Sequence, residues 1–513
     1  MRWAADGHQT ALGALLPILD PEAYPCVPGF APVSPPRPMR VVLAGHLPGP
    51  DGPVRVAVKW QRPRRLADRA ARRLRGGKGA REGQVLRALA EAGLTVPEVL
   101  AYAGTPDVLI TRWRDDLRPL PAADAAPPAL VRRLAAVLAA AHRAGLDARD
   151  LHAANLALGG TPGPDEEIVL VDLGRARIAR PDLVTALGRH AHALLRGARR
   201  AQRWRALLAF CTALEPQRGR QRARALVVEV AARERRIARR YRRGRDRRMG
   251  RAGRHFTPFL HTTADGLEVR GVRFVDVVDT GIQAWAAEQL LAGPGAGEPL
   301  KAGGAVRAVT LPDGRAAVLK HQRASRRGRR ARVLRAFHLA HALAHRHIPA
   351  AEAWLAAVDP TGAGVLLSRR VPGVDLHVAT AHSGPFHALD AAARRLALRR
   401  LGRMLRQMHD ADVSHRDLKL PNLVWHHDGA QDAFTIVDLD GARIRPGGVT
   451  WARRAKNLAR LAASSPLPAV DAARVLGGYL AAGPTGDRAH RRAFARRIAE
   501  HVRIKRGPTQ QPR

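Results

Sequence analysis

His415-Arg416-Asp417-Leu418-Lys419-Leu420-Pro421-Asn422-Leu423 is the stretch on which the fold turns. Nearly the same phrase stands earlier, as Ala148-Arg149-Asp150-Leu151-His152-Ala153-Ala154-Asn155-Leu156. Downstream of each lies a short apolar run that ends in aspartate: Ile168-Val169-Leu170-Val171-Asp172 and Phe434-Thr435-Ile436-Val437-Asp438. Upstream of each lies an apolar run that ends in lysine: Val56-Ala57-Val58-Lys59 and Ala317-Val318-Leu319-Lys320. Three landmarks thus recur in one order at an offset of roughly 265 residues, far too long for a solenoid and about the size of a domain. A tandem duplication is expected, with domains at 1–250 and 251–513 and the boundary just after the Arg-rich stretch Arg233 to Arg254.

Each copy reads alike around these landmarks. A β-rich part (40–60; 305–320) ends in the lysine run, where alternation of apolar residues marks a strand. A helix follows, with Val85, Leu86 and Leu89 or Leu339, Ala340 and Leu343 at helical spacing. Then come a short strand (108–110; 365–367), a long Ala/Leu helix (130–144; 392–409), the aspartate loop, the strand before the second aspartate and a basic helical tail. The expected fold class is α+β: two bilobal domains, each with a β-rich N-lobe and a helical C-lobe.

The spacing suits phosphoryl transfer. That chemistry needs a Lys on nucleotide phosphates, a Glu that holds the Lys, an Asp at the acceptor hydroxyl, and an Asn and a second Asp as hard oxygen ligands for Mg²⁺. Asp-x-x-x-x-Asn places the first Asp and the Asn on one loop, and the second Asp follows after room for a β-hairpin. Both copies resemble protein-kinase-like domains, through H-R-D-L-x-x-x-N, a D-F-G-like step and a V-A-I-K-like lysine. Within that superfamily they are similar to the bacterial lipopolysaccharide kinases of the Kdo/heptose kinase, InaA-like family. Asp-Leu-Gly/Asp-x-Ala-Arg-Ile after the strand, Gly-Leu-Thr-Val-Pro or His-Ile-Pro after the first helix, and the Arg-rich helical tail carry that likeness.

The resemblance implies ATP and Mg²⁺ as cofactors and a hydroxyl of a lipopolysaccharide-like glycolipid as acceptor. It implies that Asp150 and Asp417 act on that hydroxyl, with Lys419 beside the transferring phosphate. Asn155, Asp172, Asn422 and Asp438 are then the metal ligands. Lys59 and Lys320 hold phosphates, and Glu82 holds Lys59. The copies depart from the pattern in different places. Ala148 replaces the loop histidine in the first, whereas Ala336 stands at the helix-glutamate position of the second. No acidic residue occurs between Asp313 and Glu352, so a partner for Lys320 has to come from elsewhere. Asp440 stands where the D-F-G-like step has Gly, and neither copy has a good glycine-rich phosphate loop: Gly303-Gly304 and Gly49 to Gly52 are weak candidates. A Ser/Thr protein kinase and a catalytically inactive scaffold on anionic surfaces are the competing readings. No A-P-E-like segment follows Asp172 or Asp438 to favour the former.

Composition sets the remaining bounds. The 513 residues carry 87 Lys+Arg against 44 Asp+Glu, a formal net charge of +43, and 46% are hydrophobic, enough for globular cores. Two cysteines, Cys26 and Cys211, make neither a disulfide framework nor a zinc motif. No apolar run reaches transmembrane length and no signal peptide is read at the start, so a cytoplasmic protein is expected, peripheral at the cytoplasmic face of the inner membrane. The basic balance favours anionic partners: a membrane surface or an anionic glycolipid or sugar substrate. Nucleic acid is disfavoured because aromatics, at 4%, leave little for base stacking.

Basic runs occupy the same place in each repeat. Arg62 to Arg81 holds nine Lys/Arg against Asp68 alone, and Arg323 to Arg335 holds seven Arg and no acid. Either they are solvated faces or they bind anionic headgroups, each cation then contributing about 1 kcal/mol. If they bind, replacing Arg326, Arg327, Arg329 and Arg330 with Gln should weaken attachment to anionic vesicles, with a steep loss as salt passes about 0.1 M. Equal vesicle binding by variant and parent at every salt concentration assigns the run to a solvated face.

Overall fold

The computed structural model describes residues 2–3, 29–33, 40–49, 52–61, 77–104, 107–121, 125–163, 166–195, 198, 200–253, 255–263, 265–301, 303–324, 332–427, 432–482 and 488–506. Most of both basic runs, 62–76 and 325–331, lies outside these residues. The chain divides into two units, Met1–Ala238 and Arg239–Arg513. The division falls earlier than residue 250 and inside the helix Gly219–Asp246. The last turns of that helix, from Arg239 on, belong to the second unit. Both Nη of Arg346 fork onto Asp246 at 2.8 and 2.7 Å, and Arg239 and Arg242 reach the buried Asp412 at 3.3 and 3.6 Å.

The first unit has a six-stranded antiparallel sheet, in the order Arg2–Trp3, Val99–Gly104, Asp107–Arg112, Gly52–Gln61, Arg40–Gly49, Phe30–Pro32. Period-two alternation sends Val56, Val58 and Trp60 into one core and Lys59 to the opposite face. On that face lies the helix Lys78–Glu91, which buries Val85, Leu86 and Leu89. Its N-terminus is fixed by Asp107, whose carboxylate accepts from the backbone N–H of Lys78 at 3.1 Å and of Gly79 at 2.7 Å. Gly79 has no room for a side chain, since a Cβ there would lie 2.7 Å from the Val108 backbone. This close approach sets where Glu82, one turn on, meets the sheet. The helix Pro128–Arg143 follows, then the strand Leu146–Ala148 paired with Ala176–Ile178, the short turn Ala153–Asn155, and the hairpin of Leu156–Gly159 with Glu167–Leu170. Three helices close the unit: Leu183–Leu194, Arg200–Leu214 and Gly219–Asp246.

The second unit repeats this order on a seven-stranded antiparallel sheet. Ala316–Gln322 lies between Val306–Thr310 and Gly364–Arg369, followed outward by Ala353–Val358, Glu268–Phe274 and Phe256–Thr262. Helix Arg332–Ala344 covers the Lys320 face. The other face is covered by an element that motif reading passes over, the helix Thr280–Ala292, which packs Ile282, Ala286, Ala287 and Leu290 onto Ala317, Leu319, Leu355 and Leu367. Its signals are local. Asp279 caps the N-terminus, accepting from the Ile282 N–H at 2.8 Å, and Gly293 ends it at φ 76°. The helix Ala391–Asp410 leads to Val413–His415 paired with Ala442–Ile444, then the turn Leu420–Asn422, the hairpin Leu423–His427 with Asp432–Ile436, and the helices Trp451–Ala463, Ala469–Ala481 and Arg488–Arg506. Among the described residues, no helix is long and apolar enough to cross a membrane.

His409 and His341 are among the buried histidines of this unit. His409 accepts at Nδ1 from the Tyr479 hydroxyl (2.9 Å) and donates from Nε2 to Asn457 Oδ1 (3.2 Å), while burial depresses its pKa to about 3. His341 packs among Phe256, Phe274 and Phe337, and burial depresses it to about 4. Both folded values lie below the unfolded value of about 6.5, so protonation favours the unfolded chain. Stability is therefore fully present above pH 6.5 and is lost as pH falls through the window between 6.5 and the folded values. Between pH 7 and 5 the loss should be about 2 kcal/mol per histidine. Denaturant unfolding at pH 5, 6 and 7 measures it, and His341→Leu should flatten the acid-side slope.

Candidate functional site

Lys59 is brought to the helix by strand register, opposite Leu109 on one side and Val42 on the other. Its Nζ donates to Glu82 Oε1 at 2.6 Å and lies 3.4 Å from Asp172 Oδ1. Lys59 and Glu82 side chains are 15% and 1% exposed, so this is a buried pair. Arg40, which motif reading did not single out, adds a second cation to Asp172 at 3.0 Å. Burial by itself pushes the Asp172 carboxyl up, but Lys59 and Arg40 outweigh it and hold the group below the usual carboxylate range. Asp172 sits at φ 52°, a left-handed conformation that Asp tolerates better than most residues.

The second unit arranges the same groups differently. Lys320 Nζ donates to Asp438 Oδ1 at 3.0 Å and to Asp440 Oδ2 at 2.9 Å. The partner that no residue between Asp313 and Glu352 supplies is thus Asp440, the residue standing in place of Gly. Gln322, two residues along the lysine strand, donates to the same Asp440 oxygen at 2.9 Å. Burial lowers the Lys320 pKa, but the two aspartates outweigh it and the net shift is upward. Asp438 moves down: burial raises it, and Lys320 more than compensates.

The aspartate loops also differ. In the second unit His415 is buried, and burial holds it neutral by lowering its pKa. Its Nε2 donates to the Asp438 carbonyl at 2.7 Å, and its Nδ1 accepts from the Asp417 N–H at 3.3 Å. Asn422 is left to anchor the loop, donating from Nδ2 to the Asp417 carbonyl at 2.9 Å. In the first unit Ala148 makes no such tie. There Asn155 Nδ2 donates to the Asp172 carbonyl at 2.8 Å, and its Oδ1 accepts from the His152 N–H at 3.0 Å. Asn155 therefore takes over the strap that His415 provides in the second unit.

The two loop aspartates are half exposed. Asp150 meets Arg175 at 3.4 Å and Asp417 meets Lys419 at 3.2 Å. The glycine pair Gly303-Gly304, both at positive φ, follows Lys301, whose Nζ donates to Asn422 Oδ1 at 3.4 Å. Lys301 is a further residue missed by the motifs, and its proximity to the glycines is the signal that marks it. In the first unit Gly49 pairs with Gly52 in the strand register, and Pro50 and Asp51 lie outside the described residues. Asn422 with Asp438, and Asn155 with Asp172, present hard oxygens suited to Mg²⁺. Among the described residues no group of three His, Cys, Asp or Glu side chains stands ready to hold a metal. A set of one amide and one carboxylate fits an ion that keeps water and phosphate oxygens as its remaining ligands, as Mg²⁺ does.

Residues 314–479 match the lipopolysaccharide kinase (Kdo/WaaP) family, as the motifs led one to expect. This match supports a kinase, that is, a phosphotransferase. No curated protein matches the chain. Two solved structures are similar to parts of this mixed helix-and-sheet chain. WaaP in complex with acyl carrier protein is 23% identical, with 42% of this chain and 92% of that chain covered and a TM-score of 0.32. The type VIII aminoglycoside-3'-phosphotransferase is 15% identical, with 44% and 100% covered and a TM-score of 0.29.

The buried pair Lys59–Glu82 carries a stability consequence. Lys59→Ala leaves Glu82 desolvated and should destabilise the protein by about 3 kcal/mol, because an uncompensated buried charge costs more than the pair contributes. The double variant Lys59→Met, Glu82→Leu should recover most of the loss. Denaturant unfolding of the three chains measures both steps.

Proposed function

We propose that this chain, whose residues 314–479 resemble lipopolysaccharide kinases, is an ATP- and Mg²⁺-dependent phosphotransferase built from two tandem kinase-like domains. The acceptor in this reading is a hydroxyl of a lipopolysaccharide core sugar or related anionic glycolipid, met at the cytoplasmic face of the inner membrane. One observation carries the proposal: in each unit a desolvated lysine lies between the aspartate that follows the hairpin and a second carboxylate. A lysine held in this way is positioned to donate to nucleotide phosphates.

In the second domain, Lys320 Nζ donates to phosphate oxygens, and Asn422 Oδ1 and the Asp438 carboxylate are the metal donors. When bound, Mg²⁺ neutralises phosphate charge. Asp417 accepts the proton of the acceptor hydroxyl, and its 3.2 Å contact with Lys419 keeps a cation beside the place where phosphoryl charge develops. Lys59, Glu82, Asp150, Asn155 and Asp172 are the corresponding set in the first domain. The different use of Asn155 and Asn422 favours the second domain as the catalytic one. Asn422 braces the loop of Asp417, whereas Asn155 is strapped to Asp172 and Asp150 is bound by Arg175.

Phosphate transfer from labelled ATP to a glycolipid extract tests the reading. Transfer to protein and not to glycolipid makes the chain a protein kinase, and no ATP consumption makes it a binding scaffold. With glycolipid as acceptor, Asp417→Ala should lower kcat by about 10²–10⁴-fold, the usual contribution of a positioned base. Asp150→Ala should leave kcat within about tenfold of the parent. The reverse order reassigns catalysis to the first domain.

A further inference from the structure

The second carboxylate on the lysine comes from different elements in the two units. In the first it is Glu82, on the helix Lys78–Glu91, and the residue two beyond Asp172 is Gly174. In the second the helix position is Ala336, and the residue two beyond Asp438 is Asp440. The two positions compete for one space. A Cβ on Gly174 would lie 3.1 Å from Glu82 Oε2, so a side chain there would press on the glutamate carboxylate. In the second unit Ala336 and Asp440 line the same cavity, of about 210 Å³, with Leu439, Arg335 and Arg443 also in its wall. The small residue therefore sits opposite the acid in each unit: Gly against Glu in one, Ala against Asp in the other.

We propose that Asp440 is the positioning residue for Lys320, standing in for the absent helix glutamate, so that positions 336 and 440 are an exchangeable pair. This deepens the reading of the second domain as a nucleotide-binding kinase domain and rests on it. Lys320 contacts two aspartates, and they have different duties. Asp438 would hold Mg²⁺ with its carboxylate, which lies 3.0 Å from Lys320 Nζ. Asp440 Oδ2, braced by Gln322 Nε2, keeps the ammonium in place. Asp440 Oδ1 is buried and has no hydrogen-bond partner among the described residues, which leaves the carboxylate able to follow the lysine as it shifts toward phosphate. Placing the acid after the second aspartate also frees Lys320 from the position of helix Arg332–Ala344, on which a glutamate-held lysine depends.

The exchange is tested in the full chain carrying Asp172→Asn, so that the second domain's nucleotide binding is read alone. Two measurements are made: affinity for Mg·ATP, and the rate at which Lys320 Nζ is acylated at pH 8, followed by peptide mass spectrometry. Asp440→Asn should weaken Mg·ATP about tenfold, as loss of a charge-assisted contact does. It should also speed acylation severalfold, because Nζ is no longer held against the Asp440 carboxylate. The exchange variant Ala336→Glu, Asp440→Gly should return both values to within a few-fold of the parent, whereas Asp440→Gly alone should not. A purely structural role for Asp440 predicts no rescue from a carboxylate on another element. Unchanged Mg·ATP affinity in Asp440→Asn overturns the proposal, as does a folded exchange variant no better than Asp440→Gly. If the parent itself binds no Mg·ATP, the kinase reading of this domain fails, and the acylation rates still decide whether the two positions exchange.

Discussion

An ammonium group taken out of water needs opposite charge at the atom where it sits, and that need organises both halves of this protein. Desolvating a lysine costs several kcal/mol unless partners with good geometry surround it. Lys59 and Lys320 each point from a central strand toward the helix side of their sheet. The carboxylates that meet them come from far along the chain, 113 residues for Asp172 and 118 for Asp438. To satisfy the lysine, the sheet and the hairpin that ends in aspartate have to be assembled in one arrangement, and in the first half the helix that carries Glu82 joins them. Asp107 capping the helix at Gly79 and His415 strapping the aspartate loop are supports for that assembly.

The two halves reach it by different residues, and the differences compensate one another locally. Where the loop histidine is absent, Asn155 binds the Asp172 carbonyl. Where the helix glutamate is absent, Asp440 binds the lysine. In each case a polar or charged group is replaced by another of the same sign and capability from a neighbouring position, because the unpaired alternative would be a buried group without a partner. Such exchanges keep the charge balance of the site while changing which element controls it.

The large positive charge has more than one use. Part of it is internal wiring: Arg203 meets Glu234 at 2.7 Å, Arg346 forks onto Asp246, and Arg133 and Arg118 share Glu166. The Arg-rich stretch Arg233 to Arg254 includes Arg239 and Arg242, which neutralise the buried Asp412. Net charge therefore overstates the surface offered to an anionic partner. The parts of the basic runs that lie at 62–76 and 325–331 keep that role as an expectation from sequence.

Sequence alone determined the α+β order of elements, because alternation along Val56 to Trp60 and helical spacing along Val85 to Leu89 are local signals of burial. It also named the candidate chemical groups, Arg40 and Lys301 excepted, since Asp-x-x-x-x-Asn and the aspartate after an apolar strand are legible as spacing. The likeness of the second half to lipopolysaccharide kinases followed from those same phrases. What only the tertiary structure decided is which groups meet. Asp440 on Lys320, Arg40 on Asp172 and Lys301 on Asn422 join residues more than 115 positions apart. No motif records such contacts, because they depend on strand register and on the turn of a loop. The helix Thr280–Ala292 had its cap and its stop in the sequence, yet its place on the far face of the sheet follows from the apolar surface of Ala317, Leu319 and Leu355, which exists only once the strands have paired.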